Sequence, residues 1–340
     1  MKKILLLILI PYLLLSQEVT TETFYYDDLE RSYILYIPET YSEQNPTPLV
    51  LNLHGYSSNA GQQMIYSEFY NIASLEGFIL IHPEGTMDTN GFQFWNSGNL
   101  SSVDDVGFLN ALIDQIALEY NINLNRIYCM GMSNGGFMSY QLACELSDKI
   151  AAIASVTGSM SINQIEVCNP TNSTPVMQIH GTSDPTVAYN GDIFVESIDN
   201  LISFWINVNN CNQTPNVNYL PDVNLVDLSN VEHYIYNNGI NDSSVELYKI
   251  INGGHTWPGA SIPLLGNNTN QDFNASEKIW DFFNKYDING LIENNSYTIE
   301  NISKKKILKS IDLLGRKSNE KNIFIDIYND GSVKKNYLIK

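Results

Sequence analysis

The sequence predicts an α/β fold, a mostly parallel sheet flanked by helices, with a small antiparallel β module at its C-terminal end. Three observations carry that expectation. Short apolar strands alternate with longer amphipathic stretches from about residue 33 to residue 283. The segment Leu49 to Leu53 is apolar almost throughout, as strands buried on both faces are. Beyond Tyr286 the composition turns to Asn, Ser and Thr and then, from residue 304, to Lys-rich alternating segments.

In order along the chain, residues 1–16 open with Lys2 and Lys3, run apolar from Ile4 to Leu15 apart from Pro11, and reach the small Ser16. That is the pattern of a signal peptide, with cleavage expected before Gln17. Roughly 12 apolar residues fall short of the ~20 that a spanning helix needs, so no transmembrane segment is expected. Strands are predicted at Tyr33 to Ile37, Leu49 to Leu53 and Phe78 to Ile81, with a helix over Gln62 to Leu75. A second helix covers Asp104 to Tyr120, with Val106, Leu109, Leu112, Ile113 and Ile116 on one face; Asp104 and Asp105 read as its cap, not as a metal pair. The alternation resumes with a strand at Ile127 to Met130, a helix from Asn134 to Leu146, strands at Ala151 to Val156 and Pro175 to Ile179, and a helix from Ile193 to Val208. Val245 to Ile251 is the last core strand and Ala275 to Phe283 the closing helix. Insertions rich in Asn, Gly, Ser and Pro fall at 84–103 and 210–243, where loops commonly cover a site. The expected domains are thus the leader, a body over 17–287, a linker over 288–303 and a β module over 304–340, in which Asn329-Asp330-Gly331 signals a hairpin turn.

The net charge of −19 conceals a split: residues 17–303 carry 6 Lys and Arg against 33 Asp and Glu, whereas residues 304–340 carry 10 against 4. So acidic a body repels nucleic acid and anionic membrane; a neutral substrate and a surface acidic for solubility alone fit it equally, and the charge excludes nucleic acid as a partner. Export makes disulfides stable, and at least one is expected among the four cysteines. Cys129 lies in an apolar strand and reads as a buried thiol, which leaves Cys144, Cys168 and Cys211 with their pairing open. Neither a Cys-x-x-Cys pair nor a His/Cys cluster points to a metal, and no cofactor is expected.

The chemistry centres on Gly131-Met132-Ser133-Asn134-Gly135. The pentapeptide alone is a weak signal, but a strand before it and a helix after it predict the strained turn that lifts a serine hydroxyl above a sheet. A serine needs a base to become a nucleophile. Of five histidines, His54, His82 and His180 lie at ends of core strands and read as hydrogen-bonded structural residues, and His233 lies in an insertion. His255 follows the last core strand behind Gly253 and Gly254, which allow a tight loop returning over the serine. The acid expected behind it is Asp184, just past the strand ending at Ile179, with Asp192 as the alternative; the order Ser, Asp, His is then that of the α/β-hydrolase fold. Oxyanion donors are expected from the backbone N–H of Asn134 and from Tyr56 in the loop after Leu53, where Tyr56 also fits as a wall of the acyl pocket. Trp95 and Trp257 stand in loops and are candidates to stack on a sugar or phenolic ring, with packing inside the loops as the equal alternative.

Five segments together resemble the polyhydroxybutyrate depolymerase and feruloyl esterase family of secreted α/β-hydrolases: Leu53-His54-Gly55-Tyr56, residues 103–108, residues 131–136, His180-Gly181-Thr182-Ser183-Asp184-Pro185, and Gly254-His255-Thr256-Trp257-Pro258-Gly259. The resemblance covers about residues 25–285. It implies a serine triad at Ser133, Asp184 and His255 and carboxylic esters as substrates, whether polyesters or feruloyl and acetyl groups on polysaccharides. The body shows no polymer-binding domain. Residues 311–317 and 328–335 are similar to the C-terminal sorting domain of type IX secretion substrates, which implies that machinery as a partner and an extracellular or outer-surface location. A serine peptidase of the same fold, or a glycan-binding protein that has lost catalysis, is the alternative reading.

Overall fold

A computed structural model describes residues 18–98, 101–262, 267–292, 307–311, 323–328 and 333–337. The expected signal peptide, most of the linker and the turn at 329–331 lie outside the described residues. The chain divides into two compact units, residues 1–292 and 293–340.

In the first unit the strands are β1 (Glu18–Tyr26), β2 (Leu29–Ile37), β3 (Thr47–Leu53), β4 (Ile79–Pro83), the short pair β5 (Thr86–Met87) and β6 (Gln93–Phe94), β7 (Ile122–Met132), β8 (Ala152–Val156), β9 (Val176–Gly181), β10 (Asn216–Tyr219), β11 (Asn230–Tyr236), β12 (Val245–Ile251), and a terminal pair, β13 (Tyr286–Asp287) and β14 (Gly290–Leu291). The helices are α1 (Ala60–Ser67), α2 (Phe69–Glu76), α3 (Asp105–Glu119), α4 (Asn134–Glu145), α5 (Ile162–Val167), α6 (Ile198–Val208) and α7 (Ala275–Phe283). One ten-stranded sheet runs in the order β1-β2-β4-β3-β7-β8-β9-β12-β11-β10. From β4 to β12 every pairing is parallel, and antiparallel strands extend both sides. In the second unit β15 (Ile307–Ile311), β16 (Ile323–Tyr328) and β17 (Val333–Tyr337) form a separate antiparallel sheet.

Strand alternation divides the interior into two cores. Leu49, Leu51 and Leu53 of β3 face a layer that includes Phe108 and Leu112 of α3, Tyr140 of α4 and Trp205 of α6. Val50 and Leu80 face the opposite layer, with Phe69 of α2 and Trp280 and Phe283 of α7. A parallel sheet needs this double cover, because side chains on both of its faces are apolar and each buried large one contributes about 2 kcal/mol. Cys144 and Cys168 form a disulfide between α4 and the end of α5, whereas Cys129 and Cys211 are buried free thiols. Cys211 is therefore no pairing partner: it sits behind α6, its thiol directed to the Ser243 carbonyl oxygen at 3.6 Å.

Three expectations are corrected. The single helix over 62–75 is two helices, broken at Glu68, whose backbone enters the left-handed region at φ 49°. Neither Gly nor Pro marks that break; tertiary bonds hold it, as the Ser67 hydroxyl accepts from Asn52 Nδ2 at 2.9 Å and the Ser67 carbonyl from Ser276 Oγ at 2.6 Å. The helix expected from Ile193 begins only at Ile198, because Asp192 Oδ1 folds residues 192–195 into a turn by accepting from Phe194 and Val195 N–H, and Ser197 then caps the helix. The stretch 210–243 is not a loop over the site: β10 and β11 use it to widen the sheet. Among the described residues no helix is long and apolar enough to cross a membrane.

Candidate active site

The segments read as functional converge where the parallel strands end: the loop after β3, the turn after β7, the turn after β9 and the loop after β12. Carboxyl ends of parallel strands are where open α/β sheets bind ligands, since loops and helix N-termini meet there.

Ser133 stands between β7 and α4 with φ 53° and ψ −119°, a strained conformation for a residue with a side chain. Its N–H donates to the Val156 carbonyl at 2.8 Å, which pins the turn to β8. The crowding explains the glycines: a methyl on Gly135 would lie 2.7 Å from the His54 carbonyl oxygen, and one on Gly131 would enter the Gly135 backbone. Gly55 passes so close that a Cβ there would stand 3.4 Å from Ser133 Cβ.

His255 and Asp184 are joined by a 2.8 Å bond between Nδ1 and Oδ2. A carboxylate only accepts, so Nδ1 carries the proton and Nε2 keeps the lone pair a base needs. Asp184 Oδ1 accepts from Thr186 and Val187 N–H at 2.8 and 2.9 Å. Burial pushes the Asp184 pKa up, but the His255 hydrogen bond and the neighbouring imidazoles outweigh it, and the group rests below its ordinary value. The two loops are sewn together by Ser183 N–H to Gly253 O (2.9 Å) and Asn252 N–H to Thr182 Oγ1 (2.9 Å). Asp192, the alternative acid, is occupied in its own turn.

Ser133 and His255 line one cleft of about 480 Å³, with Gly55, Tyr56, Tyr66 and Ile262 among its walls. Tyr56 is 47% exposed and lines this cleft, and its hydroxyl donates to Asp88 at 2.8 Å, so the residue forms a wall. Its backbone N–H has no acceptor among the described residues. The Asn134 N–H opens α4, where first-turn donors lack helical partners. The Asn134 side chain faces away, bonded to both backbone groups of Trp95 at 2.6 and 3.0 Å.

Trp95 and Trp257 are each only 1% exposed, and neither ring lines the cleft. The stacking role therefore gives way to packing. Trp95 Nε1 donates to the His54 carbonyl at 3.0 Å, and Trp257 Nε1 to Ser276 Oγ at 3.1 Å; each ring braces a loop from within. Tyr66, which the sequence did not single out, lines the cleft and accepts the Trp257 N–H at 3.0 Å, so it touches both the pocket and the histidine loop. Its helical spacing on α1 resembles that of any half-buried aromatic and carries no distinguishing signal. Asp104 caps α3 by accepting from Gly107 N–H at 2.8 Å, and Asp105 is buried against Arg31 at 2.7 Å. His54 and His180 are hydrogen-bonded in the core. Among the described residues no cluster of His, Cys, Asp and Glu could hold a metal.

Several known proteins are similar to this chain. A bifunctional acetylxylan esterase/xylanase of Neocallimastix patriciarum is 30% identical over 143 residues, 42% of this chain and 20% of its own length. Feruloyl esterase B of Piromyces equi is 29% identical over 200 residues, 55% of this chain and 37% of its own length. The chain thus spans well under half of these relatives. Among solved structures, the acetyl xylan esterase from Aspergillus awamori superposes with a TM-score of 0.56 at 13% identity, covering 78% of this chain and 99% of that one, a likeness of fold. Residues 102–237 match the phospholipase/carboxylesterase family, a span that contains Ser133 and Asp184, and the body of the chain has the α/β-hydrolase fold.

Proposed function

We propose that the chain is a secreted serine esterase that hydrolyses carboxylic esters through an acyl-enzyme on Ser133. The observation that carries this reading is the Asp184–His255 bond of 2.8 Å beside a cleft that Ser133 and His255 both line. In the first half-reaction Ser133 Oγ attacks the ester carbonyl while His255 Nε2 takes its proton; the tetrahedral oxyanion faces the N–H groups of Tyr56 and Asn134. Collapse breaks the bond to the alcohol, which leaves with the proton from His255. Water then repeats the sequence on the acyl-enzyme and releases the acid.

Feruloyl or acetyl esters on polysaccharides are the favoured substrates, because relatives bearing those names align with the chain; hydroxyalkanoate esters are the other candidate class. Export agrees with the Cys144–Cys168 disulfide, since such bonds persist outside the cytoplasm. The test is p-nitrophenyl acetate hydrolysis by the purified protein and its Ser133→Ala variant, followed by methyl ferulate, acetylated xylan and hydroxybutyrate oligomers. Turnover is expected to fall by about 10⁶-fold on loss of the hydroxyl. Activity that survives Ser133→Ala overturns the assignment.

A further inference from the structure

We infer that His180 is a positioning residue for the acid of the triad, the last member of a buried polar chain that joins the nucleophile helix to the Asp184 turn. The inference rests on the triad reading above. Tyr140, Gln178 and His180 are each 0% exposed, and the hydrogen bonds between them have one consistent direction. Tyr140, on α4, donates to Gln178 Oε1 at 2.7 Å. Gln178 Nε2 donates to the Gly158 carbonyl at 2.8 Å and stands 2.9 Å from His180 Nδ1. The Gly158 carbonyl only accepts, so the amide cannot be turned over without setting oxygen against oxygen. His180 Nδ1 therefore accepts and its proton sits on Nε2.

That proton is taken up by the turn that carries the acid. His180 Nε2–H donates to the Val187 carbonyl at 2.8 Å and lies 3.5 Å from Asp184 Oδ2, the oxygen that holds His255. The N–H of the same Val187 binds Asp184 Oδ1 at 2.9 Å. One residue thus links His180 on its carbonyl side to Asp184 on its amide side, and His180 braces the turn that holds the carboxylate. Burial pushes the His180 pKa down, because desolvation disfavours the charged ring. Around the ring stand Asp184, His255 and the edge of Tyr189, with Lys249 over Tyr189 at 4.9 Å. A wholly apolar plug would fill this space without the cost of desolvating three polar side chains; orientation of the acid is what the polar chain adds.

Two substitutions separate positioning from bulk. His180→Asn keeps a polar group near the Nδ1 position but cannot reach Val187, whereas His180→Gln extends its amide to the Nε2 position. For His180→Asn we expect kcat on p-nitrophenyl acetate to fall about 10²-fold with KM little changed, since a small misplacement of a catalytic group costs that much. Fluorophosphonate labelling of Ser133 should slow in parallel, and the far-downfield proton signal of His255 Nδ1–H should be lost. His180→Gln should recover most of the rate and the signal. If His180→Asn does not fold, Tyr140→Phe supplies the second arm by removing the far end of the chain, and it should lower kcat and shift the same signal. Folded variants with wild-type kcat and an unmoved His255 signal overturn this proposal alone; a wild-type chain that fluorophosphonate does not label overturns the triad reading and this proposal with it.

Discussion

At the scale of the residue, the site depends on protons held in one place. The carboxylate of Asp184 determines which nitrogen of His255 is free, and Asp184→Asn should lower kcat by about 10⁴-fold, with folding intact, because an amide can present a hydrogen where an oxygen is needed. Steady-state ester hydrolysis beside the wild type checks this. A different consequence attaches to His82, which is fully buried, so that desolvation pushes its pKa from 6.5 down to about 3. Between those values the unfolded chain binds a proton that the folded chain excludes, so stability rises with pH across the window and is lost as pH falls from 6.5 toward 3. The slope from this group is about 1.4 kcal/mol per pH unit. His180 is displaced in the same direction by burial. Urea midpoints measured across the window should fall with acid, and His82→Phe should flatten the dependence; an unchanged slope in that variant would show that other groups set it.

At the scale of the element, the strand–turn–helix from β7 to α4 is the least tolerant part. Gly135→Ala brings a methyl to 2.7 Å from the His54 carbonyl oxygen, against backbone that cannot retreat without moving the loop after β3. The expected result is loss of esterase activity together with a lower melting temperature, by an overpacking cost of about 1–3 kcal/mol or more. Wild-type melting and activity in Gly135→Ala would contradict the packing argument. The far end of α4 is held covalently to α5 by a bridge between residues 24 apart in sequence. Removing it with Cys144→Ser and Cys168→Ser together should cost about 3 kcal/mol on the chain-entropy estimate, read as a fall in the urea midpoint. Activity of the surviving folded fraction should stay near wild type, because the bridge lies on the opposite end of α4 from Ser133.

At the scale of the whole molecule, charge and compactness divide at nearly the same place. The acidic body carries 6 basic residues against 33 acidic ones over 17–303, the basic tail 10 against 4 over 304–340, and the compact units meet at residue 292. Each unit has its own sheet, so the body contains every hydrogen bond described for the site. A chain ending at Ile292 should therefore keep the ester turnover and the melting temperature of the full protein. Loss of either on truncation would mean that the tail contributes to the body's stability or chemistry.

The sequence alone determined the alternation of strand and helix, the two faces of α3 and the strand-to-helix turn at Ser133, because these depend on local periodicity and on glycines at positions where a methyl has no room. It also brought forward His255 and Asp184, since paired glycines and a strand end are local signals. Only the tertiary structure decided what depends on distant contacts. Nothing near Glu68 in the sequence announces the break between α1 and α2, which Asn52 and Ser276 hold from other elements. Trp95 and Trp257 look in sequence like open loop aromatics and prove to be braces buried against His54 and Ser276. Cys144 and Cys168 were indistinguishable from Cys211 until α4 and α5 met. In each case the deciding energy comes from groups far apart along the chain, which local pattern does not encode.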